Sequence, residues 1–293
     1  MNGQRRIPRG FLQYDMEFGG RTRSNLLFVP DCPPDPSPLL LALHGGAGHP
    51  TAMARMTRFD RIAQTERFLV AYAAGSGPGA RRLNWNAGGP ERQGWAEQHH
   101  IDDVGFLRAF IRQLMNEFLI DPDRIYATGI SKGGMMAYRL ACEAPDLIAA
   151  IAVVGATMVA ECTSQPHKVA VMHIHGTSDQ NVPMEGGRGR FTFSGAPWPA
   201  VRSGIEYWRG VNDCANEEFE DERDSGVHHF HSEASNGSAD VDFYVVDHCG
   251  HAWPGARRQL WQRALGIKTN DRFDASRHIW EFLKDKRKHL VRS

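Results

Sequence analysis

The stretch Arg124-Ile125-Tyr126-Ala127-Thr128-Gly129-Ile130-Ser131-Lys132-Gly133 decides the fold of this chain. Residues 124–128 are typical of a buried strand, and residues 132–142 have the pattern of a helix. A Gly-x-Ser-x-Gly pentapeptide is a weak signal alone, but its position between a strand and a helix makes it specific. Glycines on either side of Ser131 let the two backbones approach each other without a Cβ clash. The stretch therefore predicts Ser131 as a nucleophile on a sharp turn that leads into a helix.

Apolar runs alternate with helical patterns along the rest of the chain, which predicts an α/β fold with a mostly parallel central sheet flanked by helices. No long amphipathic insertion separates the strands near 154 and 169, so we expect no large lid domain. Asp121-Pro122-Asp123 is predicted as a turn, residues 75–100 as a long surface loop and residues 212–240 as a polar, peripheral stretch. Further strands are predicted at 39–43, 68–72, 149–154, 169–174 and 241–246, and further helices from an N-cap at Asp102, at 201–211 and from 275 to about 286.

Length and charge limit the classes of partner. A chain of 293 residues fits a single domain, 1–293, with residues 1–11 as a flexible tail. Lysine plus arginine and aspartate plus glutamate each number 34, and no long block of one sign occurs, which argues against nucleic acid or an anionic membrane as a partner. No apolar stretch follows the charged N-terminus, so neither a signal peptide nor a transmembrane span is predicted. We expect a cytoplasmic protein as the sequence stands, or a secreted one if a leader has been removed.

A glycine-rich turn follows the predicted strand at 39–43, in His44-Gly45-Gly46-Ala47-Gly48. Glycines suit a backbone that must come within hydrogen-bond reach of a substrate carbonyl. By itself the segment is better explained as a simple glycine turn. Paired with the turn at Ser131, it predicts an oxyanion hole made by the N–H of Lys132 and one N–H from Gly45 or Gly46.

A serine hydroxyl needs a base and an acid to orient that base, and both should follow the serine in the order acid, then histidine. Asp179 lies just after the predicted strand at 169–174, at the edge where open α/β sheets bind ligands. After the strand at 241–246, we prefer His251 as the base because it sits beside a glycine in a loop. Asp247 is a weaker rival for the acid, and His248 is assigned a structural role.

Metal and disulfide signals are weak. His228, His229 and His231 have no acidic or cysteine partner at ligand spacing in the sequence, which favours a solvated strand. We predict no metal and no organic cofactor. An odd number of cysteines leaves at least one thiol unpaired, and one disulfide is possible without the partners being identifiable. The five cysteines are scattered, without a C-x-x-C pair, at Cys32, Cys142, Cys162, Cys214 and Cys249.

Four tryptophans are candidates for lining a substrate pocket. Trp85 and Trp95 lie in the long loop, Trp198 follows the candidate acid, and Trp253 lies two residues after the candidate base. Rigid rings can hold a flat acyl or sugar group at low entropic cost. The alternative is that each ring fixes its own loop, and for Trp253 we favour that alternative because Trp-Pro-Gly stabilises a turn.

Several motifs occur in one order along residues 39–283: Leu43-His44-Gly45-Gly46, the segments 103–107, 124–143 and 173–179, Trp208 with Asn212 and Cys214, and residues 250–255. In these motifs the chain resembles the polyhydroxybutyrate depolymerase-like esterases, relatives of the feruloyl and acetylxylan esterases of carbohydrate esterase family one. This resemblance implies an α/β-hydrolase fold and a triad of Ser131, Asp179 and His251. Cys249 stands where the family has glycine, and Cys214 lacks its usual disulfide partner.

Taken together, the sequence predicts a serine esterase that hydrolyses short-chain or aromatic acyl esters, with a small-molecule or oligomeric ester as its partner. An acyltransferase would use the same acyl-enzyme and stays open. A non-catalytic binding domain on the same fold is a third alternative, although all three triad positions are filled. The oligomeric state is not predicted.

Overall fold

A computed structural model describes residues 9–89, 94–162, 167–190, 197–222, 226–235, 237, 239–257 and 266–288. Ten strands of the described chain form one sheet: β1 (Gly10–Phe18), β2 (Arg21–Val29), β3 (Ser37–Leu43), β4 (Leu69–Ala73), β5 (Ile120–Ile130), β6 (Ala150–Val154), β7 (Ala170–Gly176), β8 (Glu218–Glu222), β9 (Val227–Ser232) and β10 (Val241–Val246). The helices are α1 (Pro50–Thr57), α2 (Phe59–Glu66), α3 (Trp95–Gln98), α4 (Asp103–Glu117), α5 (Lys132–Glu143), α6 (Val201–Val211) and α7 (Ala275–Leu283).

The strand order in the sheet is β1-β2-β4-β3-β5-β6-β7-β10-β9-β8. Neighbouring strands from β4 through β3, β5, β6 and β7 to β10 are parallel. The two ends of the sheet are antiparallel, with β1 and β2 at one end and β9 and β8 at the other. The carboxyl ends of parallel strands meet at one edge, which brings together the loops after β3, β5, β7 and β10. The predicted mostly parallel α/β fold is confirmed.

Helices cover both faces of the sheet, because the central strands are apolar on both sides. Along β3, Leu39, Leu41 and Leu43 point into one layer of the core, and Leu40 and Ala42 point into the other. The first layer contains buried side chains of α4, α5 and α6, whereas the second contains those of α1, α2 and α7. Asp102 caps α4 as predicted, and its carboxylate accepts the backbone N–H of Gly105 at 2.8 Å.

Three local predictions were wrong. Residues 121–123 lie inside β5 and not in a separate turn, because the pairing with β3 shifts register there and the irregularity is absorbed within the strand. The carboxylate of Asp121 accepts the backbone N–H of Asp123 at 3.0 Å, so this local hydrogen bond forms within the strand. Gly10 and Phe11, assigned to the tail, already lie in β1, and residues 1–8 are outside the described chain.

The third error concerns the segment 75–100, which is not a simple surface loop. Within its described part, Trp85 and Ala87 have no exposed surface and Glu97 is buried. Backbone hydrogen bonds between Ser76 and Asn84, at 2.9 and 2.7 Å, fold the segment back on itself. Buried polar contacts hold this glycine-rich segment against the rest of the domain, and composition alone does not reveal them.

The stretch 212–240 is peripheral, as predicted, and it supplies the edge strands β8 and β9. A disulfide joins Cys142 at the end of α5 to Cys162 after β6, while Cys32, Cys214 and Cys249 are free thiols. Residues 155–162 and 167–169, between β6 and β7, contain no helix and therefore no lid. Among the described helices, none is both long and apolar enough to cross a bilayer.

Candidate active site

Ser131 sits on the strained turn between β5 and α5. Its φ of 54° is in the left-handed region, and its backbone N–H donates to the carbonyl of Val154 at 2.9 Å. A Cβ on Gly129 would lie 2.4 Å from the carbonyl carbon of Gly133, and one on Gly133 would lie 2.2 Å from the oxygen of Leu43. Both glycines of the pentapeptide are therefore required sterically, and Gly133 sets the start of α5 against the end of β3.

The glycine turn after β3 lies next to this start of α5. A Cβ built on Gly45 would be 3.6 Å from the Cβ of Ser131, and one built on Gly46 would be 3.9 Å from the Cβ of Lys132. The first backbone N–H groups of a helix have no partner within the helix, and they carry its positive dipole end. Gly45 and Gly46 thus lie beside Ser131 and Lys132 at the start of α5.

His44 holds the glycine turn in place. Its Nδ1 donates to the carbonyl of Gly45 at 2.8 Å, and its Nε2 accepts the N–H of Gly75 at 3.0 Å. Trp85 Nε1 donates to the carbonyl of His44 at 2.9 Å, and the two rings pack with centroids 5.1 Å apart. Burial lowers the pKa of His44 to about 4, although the Gly45 carbonyl favours the protonated form. The ring is neutral, with its proton on Nδ1.

Asp179 and His251 form a hydrogen-bonded pair. Asp179 Oδ2 lies 2.7 Å from His251 Nδ1, and Oδ1 accepts the N–H groups of Asn181 at 2.8 Å and Val182 at 3.0 Å. Burial alone would raise the pKa of Asp179, but His251 and the backbone donors outweigh it and the pKa is lowered. The carboxylate is therefore ionised and held in one orientation by its own loop.

Gly155, which sequence reasoning missed, joins this pair to Ser131. It follows Val154, whose carbonyl binds the Ser131 N–H, and its own N–H donates to Ile174 at 3.0 Å. A Cβ on Gly155 would lie 3.4 Å from Asp179 Oδ2 and 3.6 Å from His251 Nδ1, and its φ is +52°. The positive φ favours glycine at this position, whereas the two distances are ordinary van der Waals contacts that show how closely Gly155 lies to the pair.

Comparisons with known proteins agree with this fold. The family model described as Phospholipase/Carboxylesterase matches residues 92–191. An acetyl xylan esterase from Aspergillus awamori superposes with a TM-score of 0.58 at 14% identity, covering 83% of this chain and 93% of that one.

The chain thus has the α/β-hydrolase fold, and part of it is similar in sequence to phospholipases and carboxylesterases.

Two curated relatives match part of this α/β-hydrolase by sequence. The NocK protein of Nocardia uniformis subsp. tsuyamanensis is 35% identical over 176 residues, which are 57% of this chain and 48% of that protein. Feruloyl esterase C of Emericella nidulans is 31% identical over 167 residues, 56% of this chain and 58% of that protein. The chain thus spans about half the length of these curated relatives.

The rival acid, Asp247, is engaged elsewhere. Its Oδ2 lies 3.0 Å from Nε2 of His228 on β9, and its side chain is 40% exposed. His248 is exposed, and its backbone N–H donates to Thr177 Oγ1 at 2.9 Å. This loop therefore contributes His251, and neither of the other two candidates, to the pair with Asp179.

A buried row of side chains stands behind the acid loop. Tyr138 O–H lies 2.8 Å from His173 Nδ1, His173 Nε2 lies 3.1 Å from His175 Nδ1, and His175 Nε2 donates to the carbonyl of Val182 at 2.8 Å. A carbonyl only accepts, so every proton in the row points from Tyr138 towards Val182. Burial lowers the pKa of both histidines. In the sequence, this row is indicated only by the spacing of His173 and His175 along one strand, which does not identify their partners.

Lys132 also makes a side-chain contact that the sequence did not predict. Its ammonium pairs with Glu97 of α3, and both side chains are almost completely buried. Burial raises the pKa of Glu97, although the charge of Lys132 opposes that shift. Lys132 Nζ also lies 6.0 Å from the ring centroid of Trp198. This ion pair links α3 to the residue that follows the nucleophile.

The tryptophan predictions need correction. Trp85 is fully buried beneath the glycine turn, and Trp253 is 2% exposed with its Nε1 on Ser276 Oγ at 3.0 Å, so neither ring can touch a substrate in this arrangement. Trp95 is half-buried between His99 and the guanidinium of Arg21. Trp198 is 8% exposed and donates to the carbonyl of Asn181 at 3.0 Å. Trp85 and Trp253 therefore pack within their loops, whereas contact of Trp95 and Trp198 with a substrate stays a prediction.

The histidines of β9 also need correction. They do lie on a strand, but β10 supplies the acidic partner that the linear sequence lacked. Asp242 Oδ1 lies 2.6 Å from Nδ1 of His231 and 3.2 Å from Nε2 of His229. His228 points to the other face of β9, towards Asp247.

Proposed function

We propose that this chain is a serine carboxylic ester hydrolase with Ser131 as nucleophile, His251 as general base and Asp179 as the acid that orients it. The observation that carries the proposal is the 2.7 Å contact between His251 Nδ1 and Asp179 Oδ2 beside a serine on a left-handed turn at the start of a helix. The two oxyanion donors and the half-buried position of Ser131 support it.

The acylation step begins with Ser131 Oγ attacking the ester carbonyl. His251 Nε2 takes the hydroxyl proton, because Asp179 keeps the other proton of the ring on Nδ1. The imidazolium that forms is stabilised by the ionised, buried carboxylate. As the tetrahedral intermediate collapses, His251 returns the proton to the departing alcohol oxygen, and the acyl group stays on Ser131.

The negative charge on the carbonyl oxygen needs preorganised donors. The N–H of Lys132 at the start of α5 and one N–H of the Gly45–Gly46 turn supply them. Each such donor is worth about 3 kcal/mol of transition-state stabilisation. Water then attacks the acyl-enzyme with His251 as base, and release of the acid restores Ser131.

The alcohol part of the ester is proposed to be polar. A cavity of about 260 Å³ opens beside His251, lined in part by Gln180, Asn181, Arg190 and Lys268. The leaving alcohol must lie on the His251 side, since that ring protonates it. Amide and cationic side chains there suit an alcohol that carries hydroxyl or carboxylate groups, such as a sugar or a hydroxy acid.

The acyl part is proposed to be short or aromatic. Feruloyl esterase C, one of the relatives, is named for an aromatic acyl group, and the described part of the chain between β6 and β7 has no lid. We expect kcat/KM for p-nitrophenyl esters to fall from acetate to palmitate, with methyl ferulate cleaved alongside the short esters. A maximum at long chains, or a jump in rate above the micellar limit, would contradict this substrate class.

The decisive experiment replaces the nucleophile. Ser131→Ala is expected to lower kcat for p-nitrophenyl acetate by about 10⁶-fold while the melting temperature stays near that of the unmodified chain. Ser203→Ala removes an exposed hydroxyl on α6 and should leave kcat unchanged. A fluorophosphonate probe should label Ser131 and fail to label Ser131→Ala.

Two alternatives are outcomes of the same assay. Transfer of the acyl group to an added sugar at the expense of hydrolysis would indicate an acyltransferase. No turnover and no labelling of a folded chain on the whole ester panel would indicate a binding domain. Near-normal turnover by Ser131→Ala would reject the serine mechanism.

A further inference from the structure

The strands β8, β9 and β10 carry a polar ladder on one of their two faces. Antiparallel pairing sets His231 opposite Asp242 and His229 opposite Tyr244, and it sets Glu220 of β8 opposite His229. Side chains two residues apart on a strand share a face. The opposite face of the same strands carries the phenylalanines Phe219, Phe230 and Phe243, which pack against one another.

Three potential ligand atoms converge within this ladder. His229 Nε2, His231 Nδ1 and Asp242 Oδ1 all lie within 4.8 Å of one another, and the carboxylate oxygen is 3.2 and 2.6 Å from the two nitrogens. Ligands about 2.0–2.1 Å from a tetrahedral Zn²⁺ are about 3.3 Å apart. The contact between Asp242 and His231 must therefore lengthen by about 0.7 Å, and the imidazole nitrogens, which lie up to 4.8 Å apart, must approach each other by side-chain rotation to accommodate an ion.

The surroundings of His229 resemble those of a metal ligand. Its ring stacks on Tyr244 with centroids 4.1 Å apart and planes 6° apart, which fixes the plane in which Nε2 points. Its other nitrogen, Nδ1, lies 3.7 Å from Glu220 Oε2. Metal-binding histidines commonly direct their second nitrogen to a carboxylate, which sets the tautomer and raises ligand basicity.

We propose that His229, His231 and Asp242 form a binding site for one Zn²⁺, with solvent water as the fourth ligand. His231 is 34% exposed at the side chain, so water and the ion have access. Two imidazoles and one carboxylate form a donor set that suits Zn²⁺ better than Mg²⁺ or Ca²⁺, which prefer oxygen ligands. Binding releases the proton that His231 otherwise shares with Asp242.

The site would clamp the edge of the sheet and take no part in ester cleavage. It joins β9 to β10 near the start of β10, whereas His251 follows the other end of that strand. Edge strands are the weakly held part of a sheet, so a cross-strand ion stabilises the region that opens most readily. This role is independent of the proposed esterase activity.

The test is titration of the metal-stripped full chain with ZnCl₂ in a calorimeter, together with thermal melts. We expect saturable one-to-one binding at micromolar zinc, and a melting temperature about 5 °C higher at zinc 100-fold above Kd. Asp242→Asn and His231→Gln should each weaken binding by more than about 100-fold, beyond the usual cost of losing an outer partner. Glu220→Gln should weaken it by roughly 10-fold.

The matched control is His228→Ala, which removes the neighbouring histidine from the opposite face and should bind zinc like the unmodified chain. Ester hydrolysis should be the same in all of these variants. Absence of one-to-one binding, unchanged binding by folded Asp242→Asn and His231→Gln, or equal loss in His228→Ala would overturn the proposal. Melts without zinc establish that each variant is folded.

Discussion

Histidine is paired with aspartate both at the edge of the sheet that carries the candidate triad and at the outer edge formed by β9 and β10, in different surroundings. At the candidate catalytic edge, Asp179 is 1% exposed at the side chain and His251 is 11% exposed. At the outer edge, Asp242 is 11% exposed, His229 16% and His231 34%. One oxygen of Asp179 is hydrogen-bonded to His251 and lies 3.8 Å from His175 Nε2, and its other oxygen accepts two backbone N–H groups. In contrast, one oxygen of Asp242 contacts two imidazoles at 2.6 and 3.2 Å.

The comparison shows that the same functional groups acquire different chemistry from their remaining partners. Backbone donors fix Asp179 so that it orients one ring and holds a defined tautomer, which is what a general base requires. Asp242 has two rings around one oxygen, and His231 is 34% exposed, which suits a shared proton or a metal ion. Chain order alone does not distinguish these arrangements.

The largest expected effect on kcat comes from removing the carboxylate of Asp179, which is proposed to orient His251. Asp179→Asn is expected to lower kcat by about 10⁴-fold, because the amide would favour the wrong tautomer of His251, as the equivalent change does in serine proteases. Asp247→Asn, on the same loop as His251 but paired with His228, should change kcat by less than about threefold. Steady-state kinetics on p-nitrophenyl acetate measure both, and a more damaging Asp247→Asn would reverse the assignment.

Acidification should change the stability contributed by buried His44 and by the more exposed His231 in opposite directions. The folded-state pKa of His44 is about 4, below its ordinary value of 6.5, so the unfolded chain binds more protons between these values and stability falls as the pH falls through this window. The expected loss is about 3 kcal/mol. His231 has the opposite sign: its hydrogen bond to Asp242 raises its pKa, and its contribution is present in acid and lost as the pH rises through the folded-state pKa.

Urea unfolding at pH about 7 and about 4 tests this sign. The glutamine of the His44→Gln variant does not titrate, so the stability of this variant should fall less on acidification than that of the unmodified chain. Asp242→Asn removes the acidic partner of His231 and should make the fall steeper. A steeper fall in His44→Gln would show that the ring is not held neutral in the folded state.

The smallest expected effect is that of a chelator on catalysis. EDTA should leave kcat and KM unchanged at room temperature, because the proposed triad needs no metal ion. The same treatment should lower the melting temperature of zinc-loaded protein by a few degrees, as linkage requires. A reproducible loss of activity that zinc restores would connect the two regions and contradict their separation.

Much of the catalytic edge could be predicted from the sequence, because its signals are local. A strand, a glycine-flanked serine and a helix follow one another directly, so Ser131 could be assigned from adjacent residues alone. The order of strands along the chain then located Asp179 and His251 at the carboxyl ends of β7 and β10. Their proximity is expected, because parallel strands bring those loops to one edge, and the structure then shows the hydrogen bond between them.

Tertiary structure decided what depends on contacts across the chain. Asp242 meets His229 only through the register of β9 against β10, Trp85 lies beneath the turn at His44, and Cys142 bonds Cys162. Hydrophobic periodicity reports which face of an element is buried, but it carries no information about which distant side chain completes a polar group. The sequence by itself therefore determined the α/β order and the candidate triad, whereas strand register and packing determined the second histidine site and the structural use of the tryptophans.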